Sequence, residues 1–284
     1  MLTATPLSTD YLRPSPPDGR LDRMGWAVRD SATVAGRELL HIRRLPEKLL
    51  DVVIQPVILV LLFSYVFGSA IVLPGGGDYR EFLMPGIFVQ SVFFVGAGTA
   101  AAVSLDMTEG VIERFRALPM ARSALVAGRT LADLLGVALS LAIMAGCGLA
   151  VGWRTHRGPA AAIAAFGLLL LVGYATSWLA TWVGLLARTP EAATAVSMGV
   201  VIPLTFVANT FVPTAGMPTW LRTVADWNPI SAAVEACRYL FGDPVVRADG
   251  AAAGWPLSHP VAATLCWTTL LIAVAAPMAV RRYR

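Results

Sequence analysis

A short charged run, GVIERFRALPMAR at residues 110–122, interrupts an otherwise apolar chain. Its side chains are suited to ion pairing with another protein. Glu113 and Arg116 lie three residues apart, the spacing at which opposite charges pair on one side of a helix. Apolar side chains recur at helical spacing on another side, at Val111, Ile112, Phe115 and Leu118. Pro119 would end this helix because it has no N–H to donate. The pattern predicts a short amphipathic helix that docks on another protein through ion pairs and an apolar stripe.

The alternative interpretation of this run is a basic loop that only orients the chain in a membrane. Such a loop would require neither the apolar stripe nor the acidic residues and the proline. We therefore predict a docking segment at residues 106–122, with contacts made by Glu109, Glu113, Arg114, Phe115 and Arg116.

Other reactive patterns are missing from the sequence. Lys48 is the single lysine, and it does not follow a glycine-rich turn, so the chain has no P-loop for ATP. The three cysteines and three histidines are widely spaced, which argues against disulfides and zinc sites. No HExxH or GxSxG motif occurs. The sequence predicts no catalytic, cofactor-binding or metal-binding residue, and hence no enzyme.

The composition predicts that lipid surrounds much of the chain. Apolar residues make up 56% and charged residues 14% of the 284 residues, and the mean hydropathy is +0.66. A soluble domain has about a quarter charged residues. We expect no cleavable signal peptide, because the first 30 residues are polar.

Six apolar stretches are long enough to cross a bilayer as helices, which takes about 20 residues each. They are predicted at about 52–73, 82–105, 126–152, 160–186, 192–212 and 259–280. With both termini on one side, that side carries 16 of the 22 basic residues, which makes it the cytoplasmic side. The predicted fold is an all-α integral membrane protein with six transmembrane helices.

The segment before the first span predicts a further helix at residues 31–48. Its basic residues recur at spacings of three and four, at Arg37, His41, Arg44 and Lys48. A basic stripe opposite an apolar one is typical of an amphipathic helix in the inner headgroup layer. An ordinary solvated basic run remains the alternative. Residues 1–28 are predicted to be a flexible cytoplasmic tail, and residues 29–284 the transmembrane domain.

Residues 213–241, between spans five and six, are too interrupted to form another span. Trp220, Leu221, Val224 and Trp227 form one apolar face, and Ile230, Val234, Cys237 and Phe241 form a second. Asn228 is a natural N-cap, and Pro229 a natural first helical residue. We predict a helical hairpin that enters the outer leaflet and returns, with its tryptophans at the interface.

The centres of the predicted spans contain no Asp, Glu, Lys or Arg. Carriers driven by protons or sodium usually have ionisable residues or broken helices there. Energy for transport would therefore come from another protein.

These features together resemble the membrane subunit of type-2 ABC exporters, particularly the daunorubicin-resistance permease branch. The resemblance begins at about Arg29 and is most specific in GVIERFRALPMARSALVAGRTLADL and NTFVPTAGMPTWLRTVADWNPISAAVEACRYL. It implies that the docking segment is a coupling helix seated on a separate ATPase subunit, present in two copies, which binds ATP and Mg. It also implies a second membrane subunit, identical or homologous, and a hairpin that helps close the exit.

The resemblance implies export of a hydrophobic drug, antibiotic or lipid across a bacterial cell membrane, with no nucleic acid involved. Aromatic residues that could line the path are Phe63, Phe67, Phe93, Phe94, Trp178 and Trp182, although ordinary packing explains each one separately. The alternative function is a non-pumping membrane channel or anchor that recruits a soluble cytoplasmic protein.

Overall fold

The computed structural model describes residues 54, 57–67, 73, 78–110, 122–243 and 254–282, and every regular element in these ranges is a helix. Helix α1 is the apolar segment Val57–Val66, with a π-helical turn at Phe63–Phe67. A 3₁₀ turn lies at Thr214–Gly216. The remaining helices are α2 (Tyr79–Thr108), α3 (Arg122–Val151), α4 (Pro159–Leu186), α5 (Pro190–Val207), α6 (Thr219–Asp226), α7 (Pro229–Phe241), α8 (Trp255–Ser258) and α9 (Pro260–Arg282).

Five helices of the described part are long and apolar enough to cross a membrane: α2, α3 over Asp133–Val151, α4, α5 and α9. Each overlaps one predicted span, from 82–105 onward. The predicted span 52–73 falls only partly on described residues, where the shorter α1 lies. The predicted interfacial helix 31–48, with Arg37, His41, Arg44 and Lys48, and residues 111–121 of the docking segment lie outside the described residues.

Local sequence determines where several of these helices begin. The Asp78 side chain accepts a hydrogen bond from the Arg80 N–H at 2.9 Å and caps α2. Thr189 caps α5 in the same way, by accepting from the Ala192 N–H at 3.2 Å. Proline is the first residue of α4 and of α5, where its missing N–H has no helical partner to lose.

Helix α4 is the centre of the bundle and contacts α2, α3, α5, α7 and α9. Its approach to α2 is very close at Gly184, where an added Cβ would lie 2.5 Å from the Ala100 carbonyl oxygen. A larger side chain there would push the two helices apart. The largest core lies between α2, α3, α4 and α7, and a smaller one joins α4 to α9.

Candidate functional site

The bundle of described helices has two ends, which are defined here by the loops and helix termini found at each. Arg80, at the start of α2, donates from Nη1 to the carbonyl of Val151, at the end of α3, at 3.3 Å. The α3–α4 loop also contacts the end of α7, because the His156 N–H donates to the Phe241 carbonyl at 2.7 Å. We call this the hairpin end, since α6 and α7 lie there. The opposite, docking end is where α2 finishes and α3 begins.

Glu109 is the one predicted docking residue that the structure describes. It is exposed and ends α2, and its N–H donates to the Leu105 carbonyl at 2.9 Å. Gly110 follows with a φ of 67°, a left-handed conformation that commonly terminates helices. The structure thus places Glu109 at the end of α2, just before the turn at Gly110. Glu113, Arg114, Phe115 and Arg116 lie outside the described residues.

The hairpin consists of α6 and α7, joined at Trp227 and Asn228. The Asn228 side chain accepts from the Ile230 N–H at 2.9 Å, and Pro229 is the first residue of α7, so the predicted cap is confirmed. Asn228 Nδ2 also donates to the Leu204 carbonyl of α5 at 2.7 Å. Trp220 is 70% exposed and Trp227 56% exposed, as a face turned away from the bundle requires.

Helix α7 is inserted into the bundle rather than laid on it. Its predicted apolar face, Ile230, Val234, Cys237 and Phe241, has no exposed surface. The Phe241 ring meets Trp153 edge to face at a centroid distance of 5.0 Å, and Phe88 and Phe166 at 5.9 and 5.4 Å. Aromatic pairs at such distances and angles pack favourably. The end of α7 is therefore held in an aromatic core.

A buried polar group, which we call the Arg238 cluster, joins α7 to two other elements. Arg238 donates from Nε to the Phe82 carbonyl at 3.0 Å and from Nη2 to the Asn209 carbonyl at 2.8 Å. Its Nη1 lies 3.7 Å from the Glu235 carboxylate, which accepts from Asn209 Nδ2 at 3.2 Å. The guanidinium carbon also sits 3.6 Å from the centroid of the Phe82 ring.

The Arg238 cluster can exist because its charges and carbonyls satisfy one another. A buried unpaired charge is very unfavourable, so Arg238 and Glu235 must be paired and hydrogen-bonded. Asn209 stands two residues after the end of α5, and its carbonyl accepts from Arg238. Arg238 thus joins α7 to the segment that follows α5.

A second polar group closes the hairpin end beside the Arg238 cluster. Trp153 Nε1 donates to Asp243 at 3.3 Å, and His156 Nε2 lies 2.8 Å from Glu81 of α2. Burial raises the pKa of the Asp243 carboxyl to about 7, although the bond from Trp153 lowers it in part. Asp243 follows Gly242, whose φ of 80° ends α7. Three elements distant in sequence are therefore tied together here.

The six aromatic residues predicted for a path do not form one group. Phe63 and Phe93 pack against the larger core, and Phe63 stacks on Phe211 at 4.5 Å. Trp178 and Trp182 belong to the smaller core between α4 and α9. Phe94 is half-buried on α2, and the Phe67 side chain lies outside the described part. Their role in a path stays a prediction.

Sequence patterns do not identify the residues that hold the hairpin in place. Arg238 is only one of the six basic residues on the predicted outer side, and Glu235, Asp243 and Trp153 belong to no predicted site. One signal was present: Glu235 and Arg238 are an i, i+3 charge pair beside the apolar face of α7. Their partners Phe82 and Asn209 carry no sequence signal, because the contacts are made by backbone carbonyls.

Comparison with known proteins decides the family of this bundle. Residues 31–241 match the ABC-2 type transporter family. The chain belongs to that family. It is 33% identical over 282 residues to the daunorubicin resistance ABC transporter permease protein DrrB1 of Streptomyces coeruleorubidus, covering 99% of this chain and 95% of that relative.

More distant relatives of this ABC-2 type chain have similar descriptions. The doxorubicin resistance ABC transporter permease protein DrrB of Mycobacterium tuberculosis is 26% identical, over 69% of this chain and 66% of that one. A putative transport permease, ycf38, of Cyanophora paradoxa is 23% identical, over 75% of this chain and 74% of the relative. Family membership and the apolar helices establish a multi-pass membrane protein of the ABC transporter class.

Proposed function

We propose that this chain is the membrane-spanning permease subunit of an ATP-driven exporter that moves a hydrophobic drug, antibiotic or lipid out of a bacterial cell. The observation that carries the proposal is the similarity to the daunorubicin resistance permease, which extends over nearly the whole of both chains. A match of this extent covers residues 106–122, the predicted spans and the residues of the hairpin, and is not limited to one part of the chain.

ATP hydrolysis belongs, in this proposal, to a separate ATPase subunit present in two copies, which binds ATP and Mg. The permease contributes the docking segment, residues 106–122, as the coupling helix. Support comes from the sequence, which has no P-loop and no ionisable residue at the centre of a predicted span. A second membrane subunit, identical or homologous, would complete the path.

The proposed topology has six spans with both termini in the cytoplasm, which places the docking end inside and the hairpin end outside. The α6–α7 hairpin then re-enters the outer leaflet, with Trp220 and Trp227 at the lipid interface. Single cysteines replacing Arg116 and Arg222, in a chain without its native cysteines, test this directly. They should react with an impermeant reagent from opposite sides of intact cells.

Reconstitution tests the function itself. The purified chain in lipid vesicles should neither hydrolyse ATP nor move daunorubicin or a labelled lipid until the ATPase subunit, ATP and Mg are added. Uphill movement by the chain alone, driven by a proton gradient, would instead indicate a secondary carrier. ATPase binding with passive flux and no dependence on hydrolysis would favour the non-pumping channel or anchor.

Glu113→Arg tests the docking segment, with Glu113→Ala as the matched control. Removal of an exposed ion pair costs about 0–1 kcal/mol, whereas like charges inside an interface cost several. We expect the alanine variant to export at a reduced rate and the arginine variant to lose both export and co-purification of the ATPase. Insertion should stay normal, because added positive charge on a cytoplasmic loop favours the same orientation. Equal ATPase recovery for wild type and Glu113→Arg would contradict a docking contact at this residue.

A further inference from the structure

We infer that Arg238 is a positioning residue that makes the α6–α7 hairpin move together with α2, and so links the docking end to the hairpin end. The transport part of this inference rests on the proposed function. The anchoring part rests on the structure of the chain alone and can be tested without any substrate.

The contacts of Arg238 have the geometry of a cross-link rather than a local pair. Its Nε bonds α2 through the Phe82 carbonyl, and its Nη2 bonds the segment after α5 through the Asn209 carbonyl at 2.8 Å and Thr210 at 3.4 Å. Phe82 and Arg238 are 156 residues apart in sequence. Arginine suits this task because its guanidinium presents several donors in a fixed plane, which lysine cannot do.

The surroundings of Arg238 make this cross-link costly to break. Arg238 is 1% exposed and Glu235 5% exposed. If the hairpin separated from α2, Arg238 would lose the Phe82 carbonyl and the Phe82 ring while still largely shielded from water, which is strongly unfavourable. Nearby, Gly86 of α2 contacts Thr210 so closely that an added Cβ would collide with the Thr210 backbone. The hairpin, the end of α5 and the start of α2 are therefore expected to move as one body.

Helix α2 gives this body a direct connection to the docking end. It is one continuous helix of 30 residues, and the predicted docking segment begins in its last turn. From Phe82 to Thr108 it covers about 40 Å at 1.5 Å per residue. A displacement of the docking segment by an ATPase would therefore reach the Phe82 carbonyl along one continuous helix, which contains Pro85 near its start, and Arg238 would pass it to the hairpin.

Arg238→Lys is the test variant, and Arg154→Lys is its matched control. Lysine keeps the charge at position 238, but its single ammonium cannot hold the same set of carbonyls. Arg154 lies at the same end and also donates to backbone carbonyls, at 2.6 and 2.9 Å, but these belong to Leu149 and Trp153 of its own segment. Its replacement removes an arginine–carbonyl contact without uncoupling two elements.

Cys237 provides a native reporter of the anchor. It lies beside Arg238 with no exposed surface, so the thiol is protected from reagents in solution. Cys147 and Cys266 would be replaced by alanine. The permease–ATPase complex in lipid nanodiscs would then be treated with N-ethylmaleimide, and the modification rate read by intact mass. Arg238→Lys should raise that rate about tenfold, whereas Arg154→Lys should leave it at the wild-type value.

The second measurement is export per ATP hydrolysed, with daunorubicin as probe in vesicles. We expect Arg238→Lys to lower this ratio about fivefold, within the range by which single residues change coupling, with normal ATPase co-purification. A merely structural role would lower the amount of complex and leave the ratio unchanged. If Arg238→Lys reduces the amount of complex, Glu235→Gln is used as the milder variant. We expect it to raise the Cys237 modification rate and to lower the ratio of export to hydrolysis, each by a smaller factor.

Two results would overturn the inference. The first is modification of Cys237 at the wild-type rate in Arg238→Lys, which would mean that Arg238 does not hold the hairpin. Glu235→Gln replaces Arg238→Lys in this comparison if the lysine variant is too scarce. Faster modification with an unchanged ratio of export to hydrolysis would mean that the anchor has no part in coupling. If even the wild-type complex exports nothing, the proposed function fails, and the modification rates still decide whether Arg238 is the anchor.

Discussion

The two helices of the hairpin carry similar apolar patterns and lie in opposite environments. Helix α6 buries one residue, Ala225, and exposes Trp220 and Val224. Helix α7 buries ten of its 13 residues, including both of its charged ones. An amphipathic pattern therefore indicates which side of a helix is apolar, but not whether lipid or protein covers that side.

The arginines of these two helices differ in the same way. Arg222 of α6 donates from Nη2 to the Met217 carbonyl, five residues earlier in the chain. Arg238 of α7 bonds carbonyls 29 and 156 residues away. A local contact of an arginine stabilises one turn, whereas a buried contact between distant elements determines how those elements move together.

The largest expected effect comes from the aromatic core at the end of α7, which α6 lacks. Phe241→Ala should lower the free energy of unfolding by about 3–5 kcal/mol, because it leaves a cavity among Phe88, Trp153 and Phe166. Trp220→Ala, at a 70% exposed side chain, should change it by less than about 1 kcal/mol. Denaturation of the purified protein in one lipid composition measures both. Equal losses would mean that α6 is packed as tightly as α7.

An intermediate effect is expected at the junction of the two helices. Asn228→Ala should cost about 1–2 kcal/mol, because it removes the cap of α7 and the bond to the Leu204 carbonyl. Asn228→Asp separates the two contributions, since it keeps the capping oxygen and loses the Nδ2 donor. If the aspartate and alanine variants have the same free energy of unfolding, the bond to the Leu204 carbonyl contributes more than the cap.

A graded effect, spread over several pH units, is expected at the end of α7. Burial raises the pKa of Asp243 to about 7 in the folded protein. Between about pH 4 and about pH 7, the folded protein therefore holds a proton that the unfolded chain has released. Stability should therefore fall as pH rises through this window, by at most about 1.4 kcal/mol per pH unit, and then level off.

Asp243→Asn is the control for this pH dependence, because its amide oxygen can still accept from Trp153 Nε1. The variant should show a flatter profile of unfolding free energy between about pH 4 and about pH 7. A wild-type profile that rises with pH would show that Asp243 is charged and well paired in the folded state.

Local signals account for what could be predicted about the fold. The helix–turn–helix of the hairpin was predictable because Asn228 and Pro229 act on the backbone within one turn. The sequence predicts that the fifth span continues to residue 212, because residues 208–212 are mostly apolar, whereas α5 ends at Val207. Their backbone instead leaves the helix, and the Asn209 carbonyl meets Arg238 of α7.

The candidate site was predictable only in its outline. Trp220 and Trp227 lie on an exposed face as an interfacial role requires, and Glu109 lies at the docking end. Phe93 and Trp178 fall in different cores, which periodicity could not foresee, since every span is apolar on several sides. The membrane role of these residues stays a prediction.

The sequence by itself determined the class of molecule: its hydropathy indicates a membrane protein, and its caps and prolines place several of the helix ends. These are properties of composition and of contacts within a few residues. Only the tertiary structure decided that Arg238 is an anchor and that α7 is core while α6 is surface. Both depend on backbone carbonyls and side chains brought together from more than 20 residues away, and no local pattern specifies such partners.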